Sequence, residues 1–283
     1  MPDDPPKPLM IWADLTGRER PTPDATIAYG DDALQKIDVW HPPGPGPFET
    51  VLMVHGGCWT SSIADRRLMD WAADDLRAAG YAVWNVDYRG VDRPGGGYPG
   101  TFGDAAAAAD ALHAHAARFH LDTARIVAIG HSAGGHLALW LAGRPRLPAG
   151  SILRTTRPLR IAHVISLGGL PDLEVTAQAE DNGCGTAVVH ALTGAPTSDR
   201  PDVYADTSVP RLLPLGVPQD LVHGRDDAII PERLGTGYER LAREAGDAVT
   251  LRFVARTGHV ELIAPGSTAW AETRRLLAAA FRR

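Results

Sequence analysis

The sequence predicts an α/β protein: a mostly parallel central sheet with helices on both faces and a small cap-like insertion. Three observations carry this expectation. Short apolar runs rich in β-branched residues, such as Thr50-Val51-Leu52-Met53-Val54 and Tyr81-Ala82-Val83-Trp84-Asn85-Val86, alternate with helix-like segments along most of the chain. Such runs read as strands buried on both faces, and their alternation with helices implies parallel connections. One run, residues 125–129, ends abruptly in Gly130-His131-Ser132-Ala133-Gly134 and passes at once into a helix-like segment.

Taken in order, residues 1–25 read as an irregular N-terminal arm. Two strands are expected near 25–29 and 34–41, before a proline-rich turn at 42–47. The run at 50–54 is a buried strand ending in His55-Gly56-Gly57. Residues 64–79 read as a helix, with Gly80 as its C-terminal glycine. The strand at 81–86 and an alanine-rich helix over 103–120 follow, then the 125–129 strand and the helix after Ser132. In the second half, 161–167 and 218–223 read as strands. A helix is expected from about 231 to 245, then a last strand at 249–254 and a closing helix at 267–282. Residues 170–212 break the alternation and hold short helical patterns such as 184–193, so they are expected to form a small cap within a single domain spanning 1–283.

Bulk properties narrow the partners. The chain has 283 residues, enough for a large core. A net charge of −6 gives no reason to expect nucleic acid or an anionic membrane. No apolar run approaches the length of a membrane span, and the polar, proline-rich start Met1-Pro2-Asp3-Asp4-Pro5-Pro6 lacks the pattern of a secretion signal. The two cysteines, Cys58 and Cys184, are too few for a disulfide framework. The expectation is therefore a cytoplasmic protein with both thiols reduced, no membrane partner and an open oligomeric state.

The turn at Ser132 carries the chemistry. A serine between strand and helix needs a tight, strained turn, and small flanking residues keep it free of clashes. Gly130 and Gly134 supply that room, giving the G-x-S-x-G pattern of a nucleophile elbow. The bland alternative is an ordinary turn with a serine cap. Acyl transfer further needs backbone amides aimed at a developing oxyanion. The glycine loop His55-Gly56-Gly57-Cys58-Trp59 offers those of Gly57 and Cys58, joined by that of Ala133. A carboxylate and an imidazole are then needed, each at the C-terminal end of a strand, where sites in open α/β sheets lie. Asp227, in His223-Gly224-Arg225-Asp226-Asp227, is the expected acid, with adjacent Asp226 as competitor. His259, in Thr257-Gly258-His259, is the expected base, because it completes the chain order Ser, Asp, His.

Other features are read as structural. His113, His115 and His120 sit in a helix-like segment where the spacing of two puts the first pair on different faces, so a metal site is not expected there, and His131 and His136 are expected to pack or hydrogen-bond beside the nucleophile. The Gly95-Gly96-Gly97 run lacks a following Lys-Ser or Lys-Thr and reads as a loop bordering the site rather than a phosphate cradle. The arginines at 144, 146, 154, 157 and 160 read as a solvated loop.

These residues together resemble the α/β-hydrolase superfamily across nearly the whole chain. Within it the likeness is to hormone-sensitive-lipase-like and kynurenine-formamidase-like esterases. It is carried by His55-Gly56-Gly57-Cys58-Trp59, Asp87-Tyr88-Arg89, Gly130–Gly135, His223–Asp227 with Pro231, and Gly258-His259. Cys58 stands where lipase-type relatives have a third glycine, and Trp59 leans toward formamidase-type or feruloyl and acetyl-xylan esterases. The resemblance implies the acid at Asp227, a structural pair in Asp87 and Arg89, and a helix-capping acid in Asp104. It further implies a cofactor-independent serine hydrolase of small esters or aryl formamides, with Ser132, His259 and Asp227 as catalytic residues. A small-molecule ester or amide is then the expected partner. A catalytically silent binding protein of the same fold is the competing reading, and the presence of His259 speaks against it. A peptidase of this fold is a third, with no propeller domain expected within these residues.

Overall fold

The computed structural model describes residues 8–282. The expectations about the first seven residues, including the lack of a secretion signal, lie outside the described residues.

The sheet has eight strands in the order β1-β2-β4-β3-β5-β6-β7-β8. After a short helix α1 (Trp12–Thr16), β1 (Ala25–Ala28) and β2 (Lys36–Trp40) form an antiparallel edge. β2 also pairs antiparallel with β4 (Ala82–Val86), and from the pairing of β4 with β3 (Phe48–Val54) onward every pairing is parallel: β5 (Leu121–His131), β6 (His163–Leu167), β7 (Gln219–Gly224) and β8 (Val249–Val254). The helices between them are α2 (Asp70–Ala78), α3 (Gly100–His115), α4 (Ala133–Gly143), α7 (Glu232–Glu244) and α8 (Thr268–Phe281). The break in the pattern at 170–212 contains α5 (Leu173–Thr176) and α6 (Thr186–Thr193).

The unbroken apolar strands are explained by two cores. Leu52 and Val54 of β3 pack with α3 and α4 on one face, while Val51 and Met53 pack with α2 and α8 on the other. Side chains of a strand alternate between faces, so a strand buried twice must be apolar at every position.

Boundaries moved where tertiary contacts override local pattern. The alanine-rich helix starts at Gly100 and stops at His115, because the chain beyond it turns to let the His120 carbonyl accept the Phe48 amide (2.7 Å). β5 runs on through His131, held by pairing with Leu167. The expected 64–79 helix opens with a 3-10 turn at Arg66–Met69, its start capped by Asp65. Gly80 sits at φ +98, as a C-terminal glycine requires.

Two expectations were wrong. Arg144 is not solvated: its side chain is 1% exposed and grips Asp110 through two 2.7 Å bonds. Long-range pairing of this kind leaves no local mark in sequence. The cysteines are not free either. Cys58 and Cys184, 126 residues apart, form a disulfide. Counting two cysteines ruled out a framework but not a single bridge, and the bridge removes the argument for a reducing compartment. No helix among the described residues is long and apolar enough to cross a membrane.

Buried histidines set a pH limit on this fold. Burial lowers His136 and His223 to about 4 and takes His131 well below the ordinary range. The unfolded chain therefore binds more protons between about pH 4 and 6.5, so stability falls as pH drops through that window. Asp70, pushed up to about 7 by burial and by Asp38, has the opposite slope and offsets part of it. At about 1.4 kcal/mol per pKa unit, three histidines outweigh one carboxyl. Urea unfolding at pH 7 and pH 4.5 should show a net loss on the order of 3 kcal/mol at the lower pH; equal stability would contradict the neutral, buried state of these rings.

Candidate active site

Ser132 is the single residue between β5 and α4, at φ 54 and ψ −122. A left-handed φ on a non-glycine residue costs on the order of 1 kcal/mol, and here it turns the hydroxyl toward a cavity. The glycines make the turn possible by close approach. A Cβ on Gly130 would lie 2.0 Å from the Gly134 carbonyl oxygen, and one on Gly134 2.2 Å from the Val54 carbonyl oxygen. Both obstacles are backbone, so neither can swing aside. Gly134→Ala should lower stability by about 3 kcal/mol, read as a fall in the unfolding midpoint; an unchanged midpoint would show that the elbow can relax.

The strand ends bring the downstream residues to the same edge. His259 Nδ1–H donates to Asp227 Oδ2 at 2.7 Å, so the ring nitrogen not engaged by the carboxylate is Nε2. The Asp227 side chain is fully buried. Burial opposes its ionisation, but the bond from His259 and the amides of Ile229 and Ile230 hold its carboxyl below the usual range. Asp226 is exposed, and among the described residues its carboxylate forms no hydrogen bond to the ring. Among the described residues the Ser132 hydroxyl forms no hydrogen bond; it and the His259 ring line one cavity of about 310 Å³. Catalytic contacts are commonly loose without substrate. His131 packs at a tilt of 47° beside His259 with ring centres 4.5 Å apart and donates from Nε2 to the His259 carbonyl (3.2 Å), fixing the height of that loop.

Across the cavity lies the glycine loop. Gly57, Cys58 and Trp59 all have left-handed backbone, at φ +107, +51 and +53. Among the described residues, the amides of Gly57, Cys58 and Ala133 donate to no protein acceptor. Ala133 is the first residue of α4, where a free amide and the helix dipole both favour negative charge. Two anchors hold the loop. Trp59 is buried and donates from Nε1 to His136 Nδ1 (3.3 Å), so its role is packing beneath the loop. His55 is buried against Tyr88 and bonds Asp87 (3.0 Å), which in turn pairs with Arg66 (3.0 Å).

That last network corrects the roles implied for Asp87, Arg89 and Asp104. Asp87 serves His55 and Arg66 rather than Arg89. Arg89 instead pairs with Asp104 through bonds of 2.7 and 2.8 Å, so Asp104 braces a loop from within α3 rather than capping it. The resemblance named the right residues and mispaired them.

Sequence reading missed the cavity's outer wall. Trp12 of α1 packs edge-on against both His131 and His259, with ring centres 6.1 and 6.2 Å away. Its arm is tied down by Glu261, which accepts from the Met10 amide (2.6 Å) and, through its other oxygen, from the Gly258 amide (3.0 Å). The apolar run Leu9-Met10-Ile11-Trp12 inside a polar arm was the available signal. Ile63, Leu68 and Ile229 complete the apolar lining, and Gly183 closes the rim from the 170–212 segment.

A mostly parallel eight-stranded sheet with a strained serine elbow and a hydrogen-bonded His–Asp pair at its C-terminal edge defines an α/β-hydrolase. The BD-FAE family model matches residues 37–237, and the chain belongs to the BD-FAE family. Solved structures share the fold. A carbohydrate esterase from gut microbiota is 16% identical, with 93% of this chain and 98% of that one covered at a TM-score of 0.73. A bacterial heroin esterase is 24% identical, with 91% and 83% covered at 0.69. Thermogutta terrifontis esterase 2 phosphonylated by sarin is 18% identical, with 92% and 94% covered at 0.71. A sequence comparison with curated proteins finds no match.

Proposed function

We propose that this chain is a serine hydrolase of small carboxylic esters or aryl formamides. The observation that carries the reading is one small cavity lined by a serine in a strained elbow, an imidazole oriented by a buried carboxylate, and two of the three expected oxyanion residues, Gly57 and Cys58. Ser132 Oγ attacks the carbonyl carbon while His259 Nε2 takes its proton. Asp227 holds the ring in the tautomer this requires and stabilises its charged form. The amides of Gly57, Cys58 and Ala133 receive the negative oxygen of the tetrahedral intermediate. His259 returns the proton to the leaving alcohol or amine, and water then releases the acyl group by the same route. The apolar lining and modest volume favour a short acyl group or a single ring. Residues 170–212, which carry Gly183 to the rim, act in this reading as a small cap. The carbohydrate, heroin and sarin-phosphonylated esterases that share the fold support an ester as substrate.

The test is a fluorophosphonate probe followed by peptide mass mapping. Labelling at Ser132 is expected, and folded protein that takes up no label would favour a catalytically silent binding protein. A panel of p-nitrophenyl esters run beside N-formylkynurenine and methyl ferulate then separates ester from formamide preference.

A further inference from the structure

We infer that Cys184 is a positioning residue for the oxyanion hole, acting through its disulfide to Cys58, so that the redox state of this bridge sets the turnover rate. The inference rests on the proposed role of the Cys58 amide and goes beyond it.

The Cys58 amide can face the cavity only while residues 57–59 keep three successive left-handed conformations, two of them on residues with side chains. Such a backbone persists only when its surroundings over-determine it. Trp59 is fixed from below by the core and by His136. Cys58 has its own tether: its sulfur is bonded to Cys184, with Cα atoms 5.3 Å apart. Cys184 is in turn held by its neighbours. Its amide donates to the Asn182 side chain (3.0 Å), and the next amide back, that of Gly183, donates to the Ile229 carbonyl (2.7 Å). The Ile229 amide donates to Asp227 Oδ1 (2.8 Å), and Asp227 Oδ2 accepts from His259.

The bridge therefore begins a chain of contacts along the cavity mouth. It runs from the oxyanion loop through the 170–212 segment to the loop of the acid and on to the imidazole. Cys58–Cys184 is the covalent link joining the glycine loop to this chain of contacts. Both cysteines are only partly buried, and Cys58 lines the cavity, so a reductant in solution can approach the bridge. A phosphine opens the bridge with one water: phosphorus is oxidised to the phosphine oxide, the disulfide takes up two electrons, and the two protons of water complete two thiols. The glycine loop then keeps its lower anchors and loses its upper one, and the amide is no longer held at the developing oxyanion.

The experiment compares wild type, wild type treated with tris(carboxyethyl)phosphine, and Cys184→Ser, each checked by thiol count and thermal unfolding. The readouts are kcat and KM for p-nitrophenyl acetate and the rate of fluorophosphonate labelling at Ser132. Reduction and Cys184→Ser should each lower kcat and the labelling rate about tenfold with KM changed less than twofold, since the loss falls on the transition state. The phosphine should have no further effect on Cys184→Ser, and reoxidation should restore the wild type. Two free thiols in wild type under oxidising conditions, or an unchanged kcat in folded reduced enzyme, overturns the inference while leaving the hydrolase reading intact. A fall in unfolding midpoint with kcat unchanged also overturns it, because the bridge would then be a staple only. A wild type that neither turns over esters nor takes the label overturns both readings.

Discussion

Ser132→Ala is expected to lower kcat/KM for p-nitrophenyl acetate by about 10⁴-fold or more, with folding preserved. The size follows from the way elbow, imidazole and carboxylate act as one unit: without a nucleophile the other groups have nothing to activate. What persists is the weak rate that oriented amides give a bound ester with water. Preserved folding follows from the local structure. Ser132 sits at φ 54 between a strand and a helix whose packing does not involve its hydroxyl, and alanine adopts that backbone with no new bulk. Kinetics and an unfolding curve on the same preparation separate lost chemistry from lost structure. A variant that keeps wild-type turnover removes Ser132 as the nucleophile, whatever the fold.

The second large effect distinguishes two neighbours. Asp227→Asn should cost about 10³- to 10⁴-fold in kcat, because an amide in place of the carboxylate upsets the tautomer of His259 and withdraws the charge that stabilises its protonated form. Asp226→Asn should cost less than about threefold, as expected of an exposed carboxylate that forms no hydrogen bond to the ring. The asymmetry is physical. The Asp227 side chain is fully buried, accepts from His259 and from two backbone amides, and is held ionised by them. The reverse ranking would move the acid to Asp226 and require the loop to be rearranged in solution.

These two residues also show how far the sequence could be read. Strand positions, the elbow and the order of serine, acid and base are local or periodic features, and local sterics write them directly into residue choice: glycine where a Cβ would strike a carbonyl, unbroken apolar runs where a strand is covered twice. The acid was separable from its neighbour by motif, but its burial and its bond to His259 were not visible. Pairings across long sequence separations left no pattern. The Cys58–Cys184 bridge, the Arg144–Asp110 pair and the Asp87–His55–Arg66 network each join segments whose approach depends on the finished fold. Trp12 was hidden differently. It stands in a short apolar run within an arm without periodicity, and such a run marks burial but not the surface it will cover.

The clasp between Met10 and Glu261 joins residues 251 positions apart, and Trp12 rests on a histidine almost as distant. This has a consequence for biosynthesis. A ribosome releases the elbow and the glycine loop early, but the imidazole and the carboxylate that fastens the arm emerge only with the segment around residues 259–261. Nascent chains halted before that point present an activated-looking serine with neither base nor outer wall. Competence toward substrate therefore arrives only when the segment around residues 259–261 reaches back to an arm made 251 residues earlier.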